Sequence, residues 1–206
     1  MNKMAKKISF LILTIVGLTG CFPTSFTPTT SYQLTSANEK KLVTSPINKT
    51  LLVSLPTATT VYQSNDMLYV KKDFQPSRFS RNNWDSPPSE MLLPIIVESL
   101  QNSGYFYAVV PAPTFAQTDW RLDTQLFKLQ QNFIQQPSVV EMSVDVTLTD
   151  NALFKVIATH RFSATVPAPT DTPYGGVLAA NIACQQIMEQ ISLWVVKEGQ
   201  QYLKKQ

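Results

Sequence analysis

Side chains that carry out catalysis or bind metals are scarce in this sequence. It has one histidine and two cysteines, and only 15% of its residues are charged. A lone histidine cannot build a histidine-rich metal site, and the common nucleophile, P-loop, dithiol and zinc-protease motifs are absent from the sequence. The cysteines, Cys21 and Cys184, lie far apart. An enzyme or a metalloprotein is therefore a weak interpretation, and we expect no catalytic residue, metal or cofactor.

The histidine and the charge balance narrow the function further. His160 falls on the apolar side of a predicted strand, which favours a buried or partly buried core residue over a catalytic base. All 14 acidic residues follow Cys21, whereas three of the 17 basic residues precede it. The chain from Cys21 onward is therefore neutral. Because it also has no polybasic block, we expect no binding to nucleic acid.

The first 20 residues have the pattern of a secretion signal. Three lysines precede a largely apolar run of 11 residues, Ile8–Leu18, which is too short to span a bilayer because a helix needs roughly 20. The following "LTGC" resembles the lipobox of bacterial lipoproteins. This resemblance implies a lipoprotein signal peptide over residues 1–20, transfer of diacylglycerol to the Cys21 thiol, and acylation, as by palmitate, of the new amino terminus. The alternative is an ordinary signal peptide with an incidental cysteine.

The residues after Cys21 predict a flexible tether over residues 21–30. The stretch "FPTSFTPTT" is uncharged and rich in proline and threonine, which disfavours a packed core. Phe22 stands where, by resemblance to lipoprotein sorting in Gram-negative bacteria, an aspartate would retain the product at the inner membrane. The resemblance therefore implies a lipid anchor in the outer membrane, with the body of the protein in the periplasm. An acylated Cys21 would leave Cys184 without a disulfide partner.

Residues 31–206 are long enough for one domain with its own core. The pattern predicts a mixed α/β (α+β) fold with one mostly antiparallel sheet and two main helices. Alternation of apolar and polar residues predicts strands over Trp120–Leu126 and Val140–Leu148, followed by a turn at Asp150-Asn151 and a return strand from Phe154. Apolar residues three and four apart predict a long C-terminal helix after Thr172, with a later start because of two glycines.

The first half of the chain has weaker signals. A helix is predicted to begin at Ser86 or Ser89 and to end at Gly104, although Pro94 lies inside it. The polar stretch 74–89 predicts a loop. Short strands are predicted at Ser31–Ser36, Lys49–Pro56, Val61-Tyr62 and Met67–Val70.

The order of short motifs in this half resembles the ABC-type transport auxiliary lipoprotein family. "SYQL" is followed by "VYQSNDMLYV", by a segment ending in "NNWDSP", and then by a helix and "YAVV". The family pattern matches Tyr62, Asp66, Tyr69 and Trp84, which become candidate partner-binding residues. Tyr62 and Trp84 could be exposed aromatic anchors of an interface, or both could pack in the core.

Basic residues around the 74–89 stretch suggest a second surface. Four cations oppose two acidic residues there and leave a charge of +2: Lys71, Lys72, Arg78 and Arg81 against Asp73 and Asp85. This segment could meet an acidic partner or lipid phosphates, or it could be an ordinary solvated loop.

The family resemblance implies a non-enzymatic role. Such lipoproteins accompany an ABC permease complex and an MCE (mammalian-cell-entry) domain protein that moves lipids or other hydrophobic molecules between membranes. This chain would hold the outer-membrane end of that assembly, and a homo-oligomer is left open. One alternative is a periplasmic lipid-binding carrier with a deep apolar groove between sheet and helix. Another is an assembly lipoprotein of a different envelope machine.

Overall fold

The computed structural model describes residues 28–206, so the predicted signal peptide and Cys21 lie outside the described residues. This part of the chain has two layers, a nine-stranded sheet and two helices. The strands are β1 (Thr30–Tyr32), β2 (Ile47–Val53), β3 (Thr57–Ala58), β4 (Asp66–Val70), β5 (Pro76–Trp84), β6 (Phe106–Pro111), β7 (Trp120–Asn132), β8 (Val139–Asp150) and β9 (Lys155–Pro167). The helices are α1 (Pro88–Ser103) and α2 (Pro173–Leu203). The predicted mixed α/β fold with a long C-terminal helix is confirmed.

Strand β7 organises the sheet. Along one edge it pairs antiparallel with β8 over its whole length, and β8 pairs in the same way with β9. Along its other edge β7 pairs in turn with β2, β3 and β4, each of them parallel to it. β6 extends the sheet from β2, while β5 and β1 extend it from β4. The two long antiparallel ladders thus hold β7, β8 and β9 together. Beyond β7 the sheet divides into two branches, one of β2 and β6 and the other of β4, β5 and β1.

The length of β7 separates two ends of the molecule. Its first residue, Trp120, lies opposite Asp150 at the turn between β8 and β9. Its last residue, Asn132, lies beside Val70, where β4 leads into the turn before β5. A strand of 13 residues spans about 40 Å. We call these places the β8–β9 end (the turn 151–154 and the loop 112–119) and the β4–β5 end (the turn 71–75 and the loop 133–138).

Helix α2 connects the two ends across the face of the sheet. Its N-cap Thr172 accepts a hydrogen bond from the backbone N–H of Gly175 at 3.1 Å, and Pro173 occupies the first turn, as predicted. Gly175 and Gly176 lie inside the regular helix, so the expectation of a later start is wrong. The predicted apolar stripe is buried against the sheet: Val177, Ala180, Cys184, Ile187, Ile191 and Val195.

Two predicted elements in the first half have a different structure. The stretch read as a loop contains β5, which pairs with β4 on one edge and with β1 on the other. Most of its side chains are exposed, so the apolar alternation that marks a half-buried strand is missing. The pair Val61-Tyr62 forms a 3-10 turn at Thr60–Tyr62 instead of a strand.

Helix α1 agrees with its prediction except at its start. Pro87 is the N-cap, and neither of the expected serines caps the helix. The helix passes through Pro94, which is exposed, and ends at Gly104 with a φ of 72°, in the left-handed region that glycine adopts without strain.

The return strand β9 begins one residue later than expected. Phe154 belongs to the turn, with a φ of 50°. His160 packs its ring against Phe162 and Trp194, with centroids 4.7 and 6.3 Å away, yet it is exposed. The prediction of a buried or partly buried core histidine is therefore wrong, because β9 is the edge strand of the sheet and α2 covers only part of its helix-facing side.

Candidate functional site

The four candidate partner-binding residues do not form one exposed site. Trp84 is 4% exposed and Tyr62 is 8% exposed. The backbone N–H of Trp84 donates to the carbonyl oxygen of Asn65 at 2.8 Å, which fixes the end of β5. Neither ring can be an exposed anchor of an interface, so that expectation is wrong and the core alternative is correct for both.

Tyr62 belongs to a polar network with side chains of β7 and β8. Its hydroxyl donates to Gln130 Oε1 at 3.0 Å, and Gln130 Nε2 donates to Glu141 Oε2 at 3.0 Å. Burial raises the pKa of Tyr62 to about 12. Burial also opposes ionisation of Glu141, but hydrogen bonds from Asn132 and Gln130 and the nearby Lys128 ammonium lower the pKa of that carboxyl below its ordinary value. The network therefore holds a carboxylate and a neutral phenol, which is a structural arrangement.

Asp66 and Tyr69 lie on β4 and face different surroundings. Asp66 accepts from Ser64 Oγ at 2.6 Å and pairs with Arg78 Nε at 3.1 Å, which ties β4 to β5. Tyr69 is half-buried, with its ring 4.5 Å from that of Phe79 and 5.9 Å from that of Phe133. Of the four candidates, only these two remain accessible to a partner.

The cluster around Tyr69 forms one candidate surface at the β4–β5 end. The Lys71 ammonium lies 5.5 Å from the Tyr69 ring centre and 5.9 Å from that of Phe133. An open depression of about 410 Å³ borders these side chains and reaches the start of α2 at Pro173. At the tip of the turn, Phe74 is fully exposed. The sequence interpretation missed Phe74, Phe79 and Phe133, although an aromatic residue beside two lysines in a turn was a visible signal.

A second candidate surface lies at the β8–β9 end. Asn151 Nδ2 donates to Thr118 Oγ1 at 3.0 Å, which holds the turn against the loop that precedes β7. Apolar side chains of both segments are exposed: Phe115, Leu153 and Phe154. Exposed apolar side chains that lie close together often mark interaction sites. The periodicity of the sequence assigned Phe154 to a strand and did not single out Phe115 or Leu153.

The space between the sheet and α2 is nearly filled. A partly open void between the sheet and the first turns of α2 has a volume of about 10 Å³, enough for about one water molecule. Cys184 is fully buried on the same helix face, and burial raises its pKa to about 12. Within residues 28–206, no cluster of three or more His, Cys, Asp or Glu side chains could hold a metal ion. Nor is any helix of this region both long and apolar enough to cross a membrane.

Comparison with known proteins defines the family. The family model of the ABC-type transport auxiliary lipoprotein component matches residues 32–192. The chain belongs to this family, and the resemblance inferred from its short motifs is confirmed. The match begins at the end of β1 and continues well into α2, so it covers the sheet, α1 and both candidate surfaces. No curated protein matches this chain in sequence.

Two solved structures share the fold. One is the crystal structure of a protein from Xanthomonas campestris, described as a member of the family DUF330, with 19% identity and a TM-score of 0.77. The superposition covers 85% of this chain and 99% of the Xanthomonas chain. The second, of an uncharacterized protein, has 18% identity and a TM-score of 0.64 over 82% of this chain and 99% of the other. At these identities the likeness establishes the fold alone.

Proposed function

We propose that this protein is a non-catalytic accessory of an ABC transport system of the MCE type, anchored to the outer membrane through acylated Cys21. Its body lies in the periplasm and docks the MCE-domain protein, which passes lipids or other hydrophobic molecules across the envelope together with its permease. Membership of the auxiliary lipoprotein family is the observation that carries this proposal. The short motifs and the "LTGC" sequence before the tether support it.

The arrangement of the two ends supports a docking role. Helix α2, about 45 Å long, starts near the chain's entry into the domain, where the Tyr174 ring lies 6.0 Å from that of Tyr32. It ends at the opposite pole, where the Tyr202 hydroxyl donates to Asp150 Oδ2 at 3.2 Å. The lipid anchor would therefore hold one end while the exposed Leu153 and Phe154 at the other point away from it. Exposed apolar and aromatic side chains are typical anchors of protein interfaces.

The filled interior disfavours the carrier alternative. Ligand pockets commonly have volumes of roughly 300–1,000 Å³. The void beneath α2, at about 10 Å³, cannot hold an acyl chain. Two open depressions, of about 440 and 410 Å³, border the β8–β9 end and the β4–β5 end of the described structure. A carrier would have to lift α2 off the sheet, which would expose the fully buried Cys184, Ile187 and Met188.

Site-specific photo-crosslinking tests the proposal. A photoreactive amino acid is placed at Leu153 in the acylated protein within intact cells, and crosslinked products are identified by mass spectrometry. The matched control carries the same group at Gln186, an exposed position on the outer side of α2. We expect an MCE-domain protein at Leu153 but not at Gln186, and loss of the product in a Cys21→Ala variant.

Other products separate the alternatives. Crosslinks to an unrelated envelope complex would contradict the MCE assignment and favour assembly of another machine. Products of twice the chain mass would identify a homo-oligomer. Phospholipid that co-purifies with the unacylated body, in the absence of a crosslinked protein, would favour the carrier.

A further inference from the structure

Two hairpin turns at opposite ends of the molecule share an unfavourable feature. Phe74 and Phe154 have φ angles of 62° and 50°, in the left-handed region that bulky side chains rarely adopt. Their side chains are 101% and 93% exposed. Glycine or asparagine would fit each backbone with less strain, and a polar side chain would fit the solvent better. Strain of this kind is commonly retained at functional positions.

The surroundings of Phe74 distinguish it from Phe154. Three half-buried rings lie on the strands and the loop of the same end: those of Tyr69 and Phe79, 4.5 Å apart, and that of Phe133. The Lys71 ammonium lies over two of these rings, and Lys72 is exposed in the same turn. The adjoining loop adds Ile134, which is 46% exposed. This combination of aromatic rings with lysines is typical of side chains at a bilayer interface.

The direction of β1 shows that the chain enters the domain from this same end. β1 runs parallel to β5, with Thr30 opposite Asn82, so the chain before Thr30 enters from the side where β5 begins, at Pro76. Asn82, opposite Thr30, lies six residues along β5 from Pro76, a distance of about 20 Å. The nine residues from Cys21 to Thr30 can reach at most about 30 Å. A fully extended chain from Thr30 is therefore long enough to bring Cys21 to the level of Phe74.

We propose that the β4–β5 end rests on the bilayer in which Cys21 is anchored, with Phe74 inserted among the headgroups and Lys71 and Lys72 near lipid phosphates. This inference depends on the lipid anchor of the proposed function, but not on the identity of the transport partner. The contact need not be strong, because the tether keeps the turn at a high effective concentration next to the membrane. It would orient α2 away from the bilayer and present the β8–β9 end to a partner.

Fluorescence quenching in vesicles tests this orientation. The acylated protein, with a cysteine in place of Gln75, is labelled with an environment-sensitive dye and reconstituted into vesicles of phosphatidylethanolamine and phosphatidylglycerol. A second sample carries the label at Ala152, at the β8–β9 end. The unmodified protein serves as the labelling control because Cys184 is buried. We expect a blue-shifted emission, quenched by brominated lipid chains, at position 75 but not at position 152.

Matched variants separate contact from mere proximity. Phe74→Asn suits the positive φ, so it should keep the fold while reducing quenching at position 75 at least twofold. Phe154→Asn makes the same change at the other end and should leave that signal unchanged. A Lys71→Gln/Lys72→Gln variant should weaken the signal and remove its dependence on salt and on phosphatidylglycerol.

Several results would overturn the inference. The label at position 75 could be as exposed to water as the label at 152, or its quenching could be unchanged by Phe74→Asn. Either result would mean that the tether alone holds the protein at the membrane. Quenching at position 152 instead would reverse the orientation. The mass of the N-terminal peptide reports acylation independently. An unacylated chain would lack the lipid anchor on which the inference rests. Retained quenching without an MCE partner would refute the proposed partner only.

Discussion

Gly199, near the end of α2, lies where the helix passes closest to two buried aromatic rings. A Cβ at this position would lie 2.6 Å from the Tyr105 hydroxyl oxygen and 2.8 Å from Cζ3 of Trp120. Ordinary contacts are about 3.5–4.0 Å. Both rings are essentially fully buried, and both pack edge-on against Phe106. Neither ring has room to turn away, so Gly199→Ala forces a shift of the helix or of the aromatic cluster.

Two effects of opposite sign decide the outcome of Gly199→Ala. Alanine improves intrinsic helix stability by about 1 kcal/mol. Overpacking a well-filled core costs about 1–3 kcal/mol, and contacts below 3.0 Å with rigid rings favour the upper part of that range. We therefore expect the free energy of unfolding to fall by about 1–2 kcal/mol. Urea unfolding followed by tryptophan fluorescence measures it, with the exposed Gln200→Ala as a control that changes stability by less than about 0.5 kcal/mol.

A double-mutant cycle identifies the cause of the loss. Tyr105→Phe removes the oxygen nearest to the new methyl group, and this hydroxyl has no hydrogen-bond partner in the described part of the chain. The double variant should therefore be less destabilised than the sum of the single changes. A Gly199→Ala protein as stable as wild type, or a strictly additive cycle, would contradict this account of the helix contact.

Three further predictions concern the core and its titratable groups. Trp84→Ala should lower the free energy of unfolding by about 3–5 kcal/mol, and Trp84→Phe by less, as urea unfolding would measure; a change within error would contradict its place in the core. The pKa of Glu141 is lowered from its ordinary value of 4.5, so its stabilising contribution is present above about pH 4.5 and is lost as the pH falls through the folded-state pKa. The stability difference between wild type and Glu141→Gln should shrink from pH 7 to pH 3, and a constant difference would refute the coupling. Cys184 should resist thiol reagents at pH 8 and react at once in denaturant; rapid labelling of the native protein would show that α2 opens readily.

The sequence was sufficient to predict the elements whose periodicity is strong. In β8, buried and less buried side chains alternate along much of the strand, and in α2 the apolar stripe continues for most of the helix, so local pattern and tertiary burial agree. Thr172 and Gly104 mark helix boundaries through their own chemistry, as a side-chain acceptor and as a residue free to adopt positive φ. The short motifs were sufficient to place the chain in its family.

Only the tertiary structure determined which candidate residues are accessible. Tyr62, Tyr69 and Trp84 are all aromatic residues near turns, yet Gln130 and the strands around them bury the first and the last, while Tyr69 remains at an open edge. β5 escaped detection because its regularity comes from hydrogen bonds to strands on both sides, and not from a buried face. The β8–β9 end and the β4–β5 end lie far apart because β7 is long enough to pair with three successive strands along one edge. Such pairings join residues far apart in sequence, so their positions follow from chain packing and not from local periodicity.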